Sequence, residues 1–184
     1  ALPLCLEMVK GRRKTLGNEN PRTLSAIHTL GTLYIDMSRF LDALPLLTEA
    51  SNARRKILGA EHVDVLKSIS ALGLVTFETG NHQAAAVLLV DVLPLFRKTL
   101  GDLDPCTLFA LNSLGLVRTD KGDYDAAEPV LLEALSGRRV VLGPDHPDTL
   151  ITTIYCAWMY TNKGDHTKAR PLAEQSVSTA RKIL

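Results

Sequence analysis

"VLGPDHPDTL", residues 141–150, sets a glycine, two prolines and a capping-type polar residue within ten positions, and three upstream stretches repeat its outline. They are "TLGNENPRTL" from Thr15, "ILGAEHVDVL" from Ile57 and "TLGDLDPCTL" from Thr99. Their leucine-glycine pairs stand at Leu16-Gly17, Leu58-Gly59, Leu100-Gly101 and Leu142-Gly143, a constant step of 42 residues. A fixed period of that size marks a tandem array of supersecondary units.

Each unit opens with a helix start. After the leucine-glycine pair comes a polar residue, usually followed by proline: Asn20-Pro21, His62-Val63, Asp104-Pro105 and His146-Pro147. Proline at the first helical position lacks only an N–H that would be unpaired anyway, and a polar side chain before it can cap the helix. The segment that follows carries Leu24, Ile27, Leu30, Gly31 and Tyr34 in one unit and Leu108, Leu111, Leu114 and Gly115 in another, a stripe of helical and not strand period. This helix A is expected to stop at Gly80, Gly122 and Gly164, which can take a left-handed conformation, while Ser38 holds the same place with a less well specified turn. A second helix, B, follows with its own stripe, for example Tyr124, Ala127, Val130, Leu131, Ala134 and Leu135.

Two antiparallel helices cannot bury both stripes alone, so such units stack. The expected fold is therefore all-α, a right-handed α-α superhelix of about nine helices. Its divisions are a partial repeat at 1–16 holding helix B alone, then repeats at 17–58, 59–100, 101–142 and 143–184. Ala1-Leu2-Pro3-Leu4-Cys5-Leu6 reads as an interior helix without its partner, from which the chain is expected to be a segment excised from a longer protein, with a route to self-association through that uncapped helix.

Composition narrows the function. A net charge of +1 lacks the electrostatic footprint of a nucleic-acid binder, and no apolar run reaches membrane-spanning length. Cys5, Cys106 and Cys156 are odd in number and lack CxxC spacing, which fits reduced thiols, no metal and a cytoplasmic setting. His28, His62, His82, His146 and His166 form no metal or catalytic motif; His62 and His146 occupy the helix-start slot held elsewhere by Asn20 and Asp104. With no phosphate-binding glycine loop, nucleophile elbow or paired carboxylates in the sequence, neither catalysis nor a cofactor is expected.

A small residue eight places into helix A (Gly31, Gly73, Gly115, Ala157), alanine early in helix B (Ala43, Ala85, Ala127, Ala169) and small residues seven further on (Ala50, Ala134, Ser176) resemble the tetratricopeptide repeat (TPR) signature. Units of 42 residues resemble the lengthened TPRs of the kinesin light chain family. The glycines of helix A are expected to face the early alanines of helix B.

The resemblance implies a noncatalytic scaffold or adaptor that binds a protein or peptide in a concave groove lined by helix A. The TPR groove pattern falls on Ser25, His28, Thr32, Ile35 and Asp36, then on Lys67, Ser70, Leu74, Phe77 and Glu78. It continues with Phe109, Asn112, Leu116, Thr119 and Asp120, and with Ile151, Ile154, Trp158, Thr161 and Asn162. Phe77, Leu74, Leu116, Phe109, Ile154 and Trp158 make an expected apolar strip for a partner's side chains. Asp36, Glu78 and Asp120 recur as an acidic column at the end of helix A, where carboxylates oppose the helix dipole.

Kinesin light chains are expected to clamp cargo peptide with helix-A asparagines, yet only Asn112 keeps that residue, with His28, Ser70 and Ile154 in the equivalent places. The partner expected here is apolar with some lysine or arginine, and neither nucleic acid nor membrane. A further arginine column, Arg13, Arg55, Arg97, Arg139 and Arg181, is expected to pair with loop acids such as Glu19, Glu61 and Asp145. The competing reading is architectural: repeats that space or assemble the domains of a signalling or motor-associated protein.

Overall fold

The computed structural model describes residues 1–183, and among them are nine α-helices and no strand. They are α1 (Leu2–Leu16), α2 (Pro21–Asp36), α3 (Phe40–Leu58), α4 (Val63–Glu78), α5 (His82–Leu100), α6 (Pro105–Asp120), α7 (Tyr124–Val141), α8 (Pro147–Lys163) and α9 (His166–Ile183). The even-numbered helices are the A helices of the sequence reading. The chain forms two compact units, Ala1–Leu95 and Phe96–Leu184. In the first, α1 packs on α2, α2 on α3 and α3 on α4; in the second, α6 packs on α7, α7 on α8 and α8 on α9. The two A helices of each unit also touch, α2 with α4 and α6 with α8.

Local chemistry fixes the ends of these helices. Asn20, His62, Asp104 and His146 each accept a hydrogen bond from the backbone N–H two residues on, at 2.9, 3.1, 2.8 and 3.1 Å. The two histidines cap through Nδ1 and so sit in the same role as the asparagine and the aspartate. At the A–B turns the residues after the left-handed position, Arg39, Asn81, Asp123 and Asp165, donate back to the carbonyls of Tyr34, Thr76, Arg118 and Tyr160. Ser38 takes φ 55° there and closes the same turn that glycine closes elsewhere, so the first turn is as well defined as the others.

The small-residue positions work in a different register from the one expected. A Cβ placed on Gly31 would meet Leu47 Cγ at 2.8 Å, and one on Gly73 would meet Leu89 Cγ at 2.9 Å; Gly115 stands against Leu131 in the same way. Each glycine thus receives the leucine one helical turn beyond the alanine, because the length of the A–B turn sets the offset between the two antiparallel helices. Ala43, Ala85 and Ala127 are fully buried all the same. In the last pair Ala157 stands where the others have glycine and Ala173 where they have leucine.

Consecutive helix pairs are tied by two arginine systems. Arg54, 4% exposed, donates to Ser68 Oγ at 2.8 Å, the Asp64 carbonyl at 3.1 Å and Ser25 Oγ at 3.1 Å. Arg138, 5% exposed, repeats this with Thr152 Oγ1 at 2.7 Å and the Asp148 carbonyl at 2.8 Å. In the same place 42 residues from each stands Phe96, where the residue corresponding to Ser68 and Thr152 is Ala110. An apolar ring and a methyl group replace a charge and a hydroxyl together, as burial of a polar group requires.

The second system is the column next to it. Arg13 bonds Glu49 at 2.7 Å, Arg97 bonds Glu133 at 2.8 Å and Arg139 bonds Gln175 at 3.0 Å. These partners lie on the following helix B, not in the loops. Arg13 and Arg97 add a loop contact, to Asn18 at 3.3 Å and Asp102 at 2.9 Å. Glu19 and Asp145, expected as arginine partners, pair instead with Lys56 at 3.1 Å and Lys182 at 3.9 Å.

Candidate functional site

The helix-A surface of unit 1 is mostly closed. Ser70 is 2% exposed and His28 is half-buried beside Ser68 Oγ at 3.4 Å. Burial, reinforced by the Arg54 charge, holds the His28 ring down at about 4, so it stays neutral at pH 7. Leu74 and Phe77 are half-buried, and Phe77 packs on the His82 ring at a centroid distance of 4.8 Å. Asp36 and Glu78 are exposed. Partial burial pushes the Glu78 carboxyl up, opposed by His82. Arg39 bonds Asp42 at 2.8 Å and lies over the Tyr34 ring at 4.7 Å, so it serves its own turn and not Asp36.

In unit 2 the equivalent positions split by helix. On α6, Asn112 and Leu116 are each 6% exposed and Phe109 is half-buried, while Asp120 is exposed. Asn112 Oδ1 accepts no hydrogen bond among the described residues. On α8, Ile154 is 46% and Trp158 37% exposed, with Asn162 exposed beyond them. Ile154, Ala157 and Trp158 line an open groove whose other wall is Ala173, Val177 and Ala180 of α9. Alanine at both 157 and 173, where the earlier pairs oppose glycine and leucine, leaves room at its floor.

The buried arginines Arg54 and Arg138 are absent from the sequence reading, which followed the neighbouring column. The signal was available: the doublets Arg12-Arg13, Arg54-Arg55 and Arg138-Arg139 repeat at the period, and Arg54 lies seven residues after Leu47, on the buried stripe. No group of acidic, histidine and cysteine side chains that could hold a metal ion occurs among the described residues. No helix among them is long and apolar enough to cross a membrane. Cys156 is buried and its thiol is pushed up to about 12 by desolvation, and no disulfide joins it to Cys5 or Cys106.

A family model for the tetratricopeptide repeat matches residues 22–98 and 106–182. The chain belongs to the tetratricopeptide repeat family. Its helix-pair packing is accordingly that of a TPR array, a class of fold that generally serves protein–protein interaction without catalysis. Among solved structures it is similar to the nearly identical TPR-like repeats of a Podosopora anserina protein provisionally assigned as a kinesin light chain, at 26% identity and a TM-score of 0.72, covering 99% of this chain and 86% of that one. A single-substitution form of that protein gives a TM-score of 0.75 at the same identity and coverage. BtubC (BKLC) from P. vanneervenii shares the fold at 19% identity, with a TM-score of 0.78 over 98% of this chain and 72% of that one. No curated protein matches the chain. The two neighbours at 26% identity are thus kinesin light chain-like TPR repeats.

Proposed function

We propose that this TPR chain is a noncatalytic scaffold or adaptor module, working in the cytoplasm, that recruits a protein or peptide partner on the exposed surface of its A helices. The observation that carries this reading is the α8–α9 groove. There the TPR repeat leaves Ile154 and Trp158 in solvent at positions its own packing does not need. Aromatic anchors in an apolar groove are where binding energy concentrates. The partner presents apolar side chains to that groove and lysine or arginine to exposed carboxylates of the same unit, such as Asp120.

The test is a pull-down from cytosolic lysate with the wild type and an Ile154→Ala/Trp158→Ala variant of equal helicity. Proteins captured by the first and lost from the second support the reading. Identical lists would favour the architectural alternative, for which Leu4, 71% exposed on α1, offers a self-association surface.

A further inference from the structure

The arginine ladder is broken once, and a cavity opens at the break. Arg13 and Arg97 each hold two partners, a loop residue five positions on and a glutamate 36 positions on. At Arg55 both are changed by the sequence. The loop position is Ala60, and the helix position is Asp91, one methylene shorter than glutamate. Among the described residues Arg55 makes no side-chain hydrogen bond or ion pair, and nor does Asp91. Between them, at the α3–α4–α5 junction of unit 1, lies a cavity of about 90 Å³. Its floor is Leu66, Ile69, Leu88, Val92 and Leu95, with Ala60, Arg55 and Asp91 completing the lining.

The geometry points to a binding site for a free α-amino acid with a branched aliphatic side chain. Such a molecule carries the two charges that the broken ladder lacks. Its carboxylate meets the Arg55 guanidinium, whose planar fork suits two parallel hydrogen bonds. Its ammonium meets the Asp91 carboxylate, so the zwitterion supplies an opposite charge to each of the two charged groups that line the cavity. The apolar floor takes the side chain, and the volume of about 90 Å³ suits a group of valine or leucine size. A residue inside a peptide has neither charge and gains nothing from the paired rim. This site is separate from the α8–α9 groove and independent of its occupant.

The test is isothermal titration calorimetry of the full chain with L-leucine, L-valine and N-acetyl-L-leucine methylamide, the last being the uncharged peptide-like probe. Binding of the free amino acids, with the capped probe at least tenfold weaker, is expected. Asp91→Glu restores the ladder pair with Arg55 and should weaken leucine binding at least tenfold while thermal stability is unchanged or higher; Arg55→Gln should weaken it similarly. Equal binding of the capped probe would overturn the proposal in favour of a peptide side-chain pocket. No heat with any probe, or an Asp91→Glu chain that binds leucine like the wild type, would overturn it outright.

Discussion

Ser38 shows how a single residue carries the cost of a repeated turn geometry. Its φ of 55° is the left-handed conformation that glycine adopts in the other three A–B turns, and a side chain there costs roughly 1 kcal/mol. Ser38→Gly should therefore stabilise the chain by up to about 0.5 kcal/mol in urea unfolding, the added flexibility of the unfolded glycine offsetting most of the relief. A loss of stability would mean that the Ser38 hydroxyl supports the turn in a way its backbone does not reveal. Gly115 makes the opposite case: a methyl group there drives into Leu131, so Gly115→Ala should destabilise by about 1–3 kcal/mol. The same change in a Leu131→Ala background should cost little, since the last pair already combines Ala157 with Ala173. Additive losses in that double-mutant cycle would contradict the assigned contact.

Between elements, charged side chains act mainly as rivets from one helix pair to the next. Arg138 is held by Thr152 and a backbone carbonyl, and Arg138→Met should cost about 1–3 kcal/mol through the loss of two charge-assisted hydrogen bonds, while Thr152 Oγ1 keeps its own bond to the Asp148 carbonyl. Circular dichroism during urea titration reads this directly, and a change below about 0.5 kcal/mol would show the arginine to be dispensable. Glu128 forms a hub on α7: Lys163 at 2.8 Å, Lys168 at 3.0 Å and the Tyr160 hydroxyl at 2.9 Å all converge on it. These donors, the lysines first, hold its carboxyl down at about 2. Repeat arrays draw stability from such neighbour contacts, and the periodic pattern shows why the helices were legible before the rivets were. Glycine, proline and capping residues act on their own backbone, so the period of 42, the helix starts and the turns follow from local chemistry. The glycine–leucine register and the Arg13–Glu49 type of pair depend on turn length and stacking offset, which sequence spacing does not encode.

At the scale of the whole molecule, two titrating groups separate the acid responses of the two units. His28 is depressed from 6.5 to about 4, so it binds protons more weakly in the folded than in the unfolded state. Its contribution is present above pH 6.5 and is lost as pH falls towards 4, at most about 3 kcal/mol. The Glu128 carboxylate is also depressed, from 4.5 to about 2, and its contribution is lost only below pH 4.5. Unfolding free energy should therefore fall between pH 6.5 and 4.5 in the wild type and stay flatter there in His28→Ser. Equal slopes would place the acid sensitivity elsewhere.

The candidate surface was less legible than the fold for a related reason. Asn112 and Leu116 share their repeat positions with Ile154 and Trp158, yet the first two are 6% exposed and the others 46% and 37%. Position in the repeat names a face, whereas exposure depends on what packs against that face.

Trp158 is the chain's one tryptophan, so it reports on the central claim without a label. A captured partner, purified and titrated into the chain, should shift Trp158 emission to the blue with saturation at the same concentration that anisotropy of the labelled partner shows. Saturable anisotropy with unchanged emission would contradict docking at the α8–α9 groove.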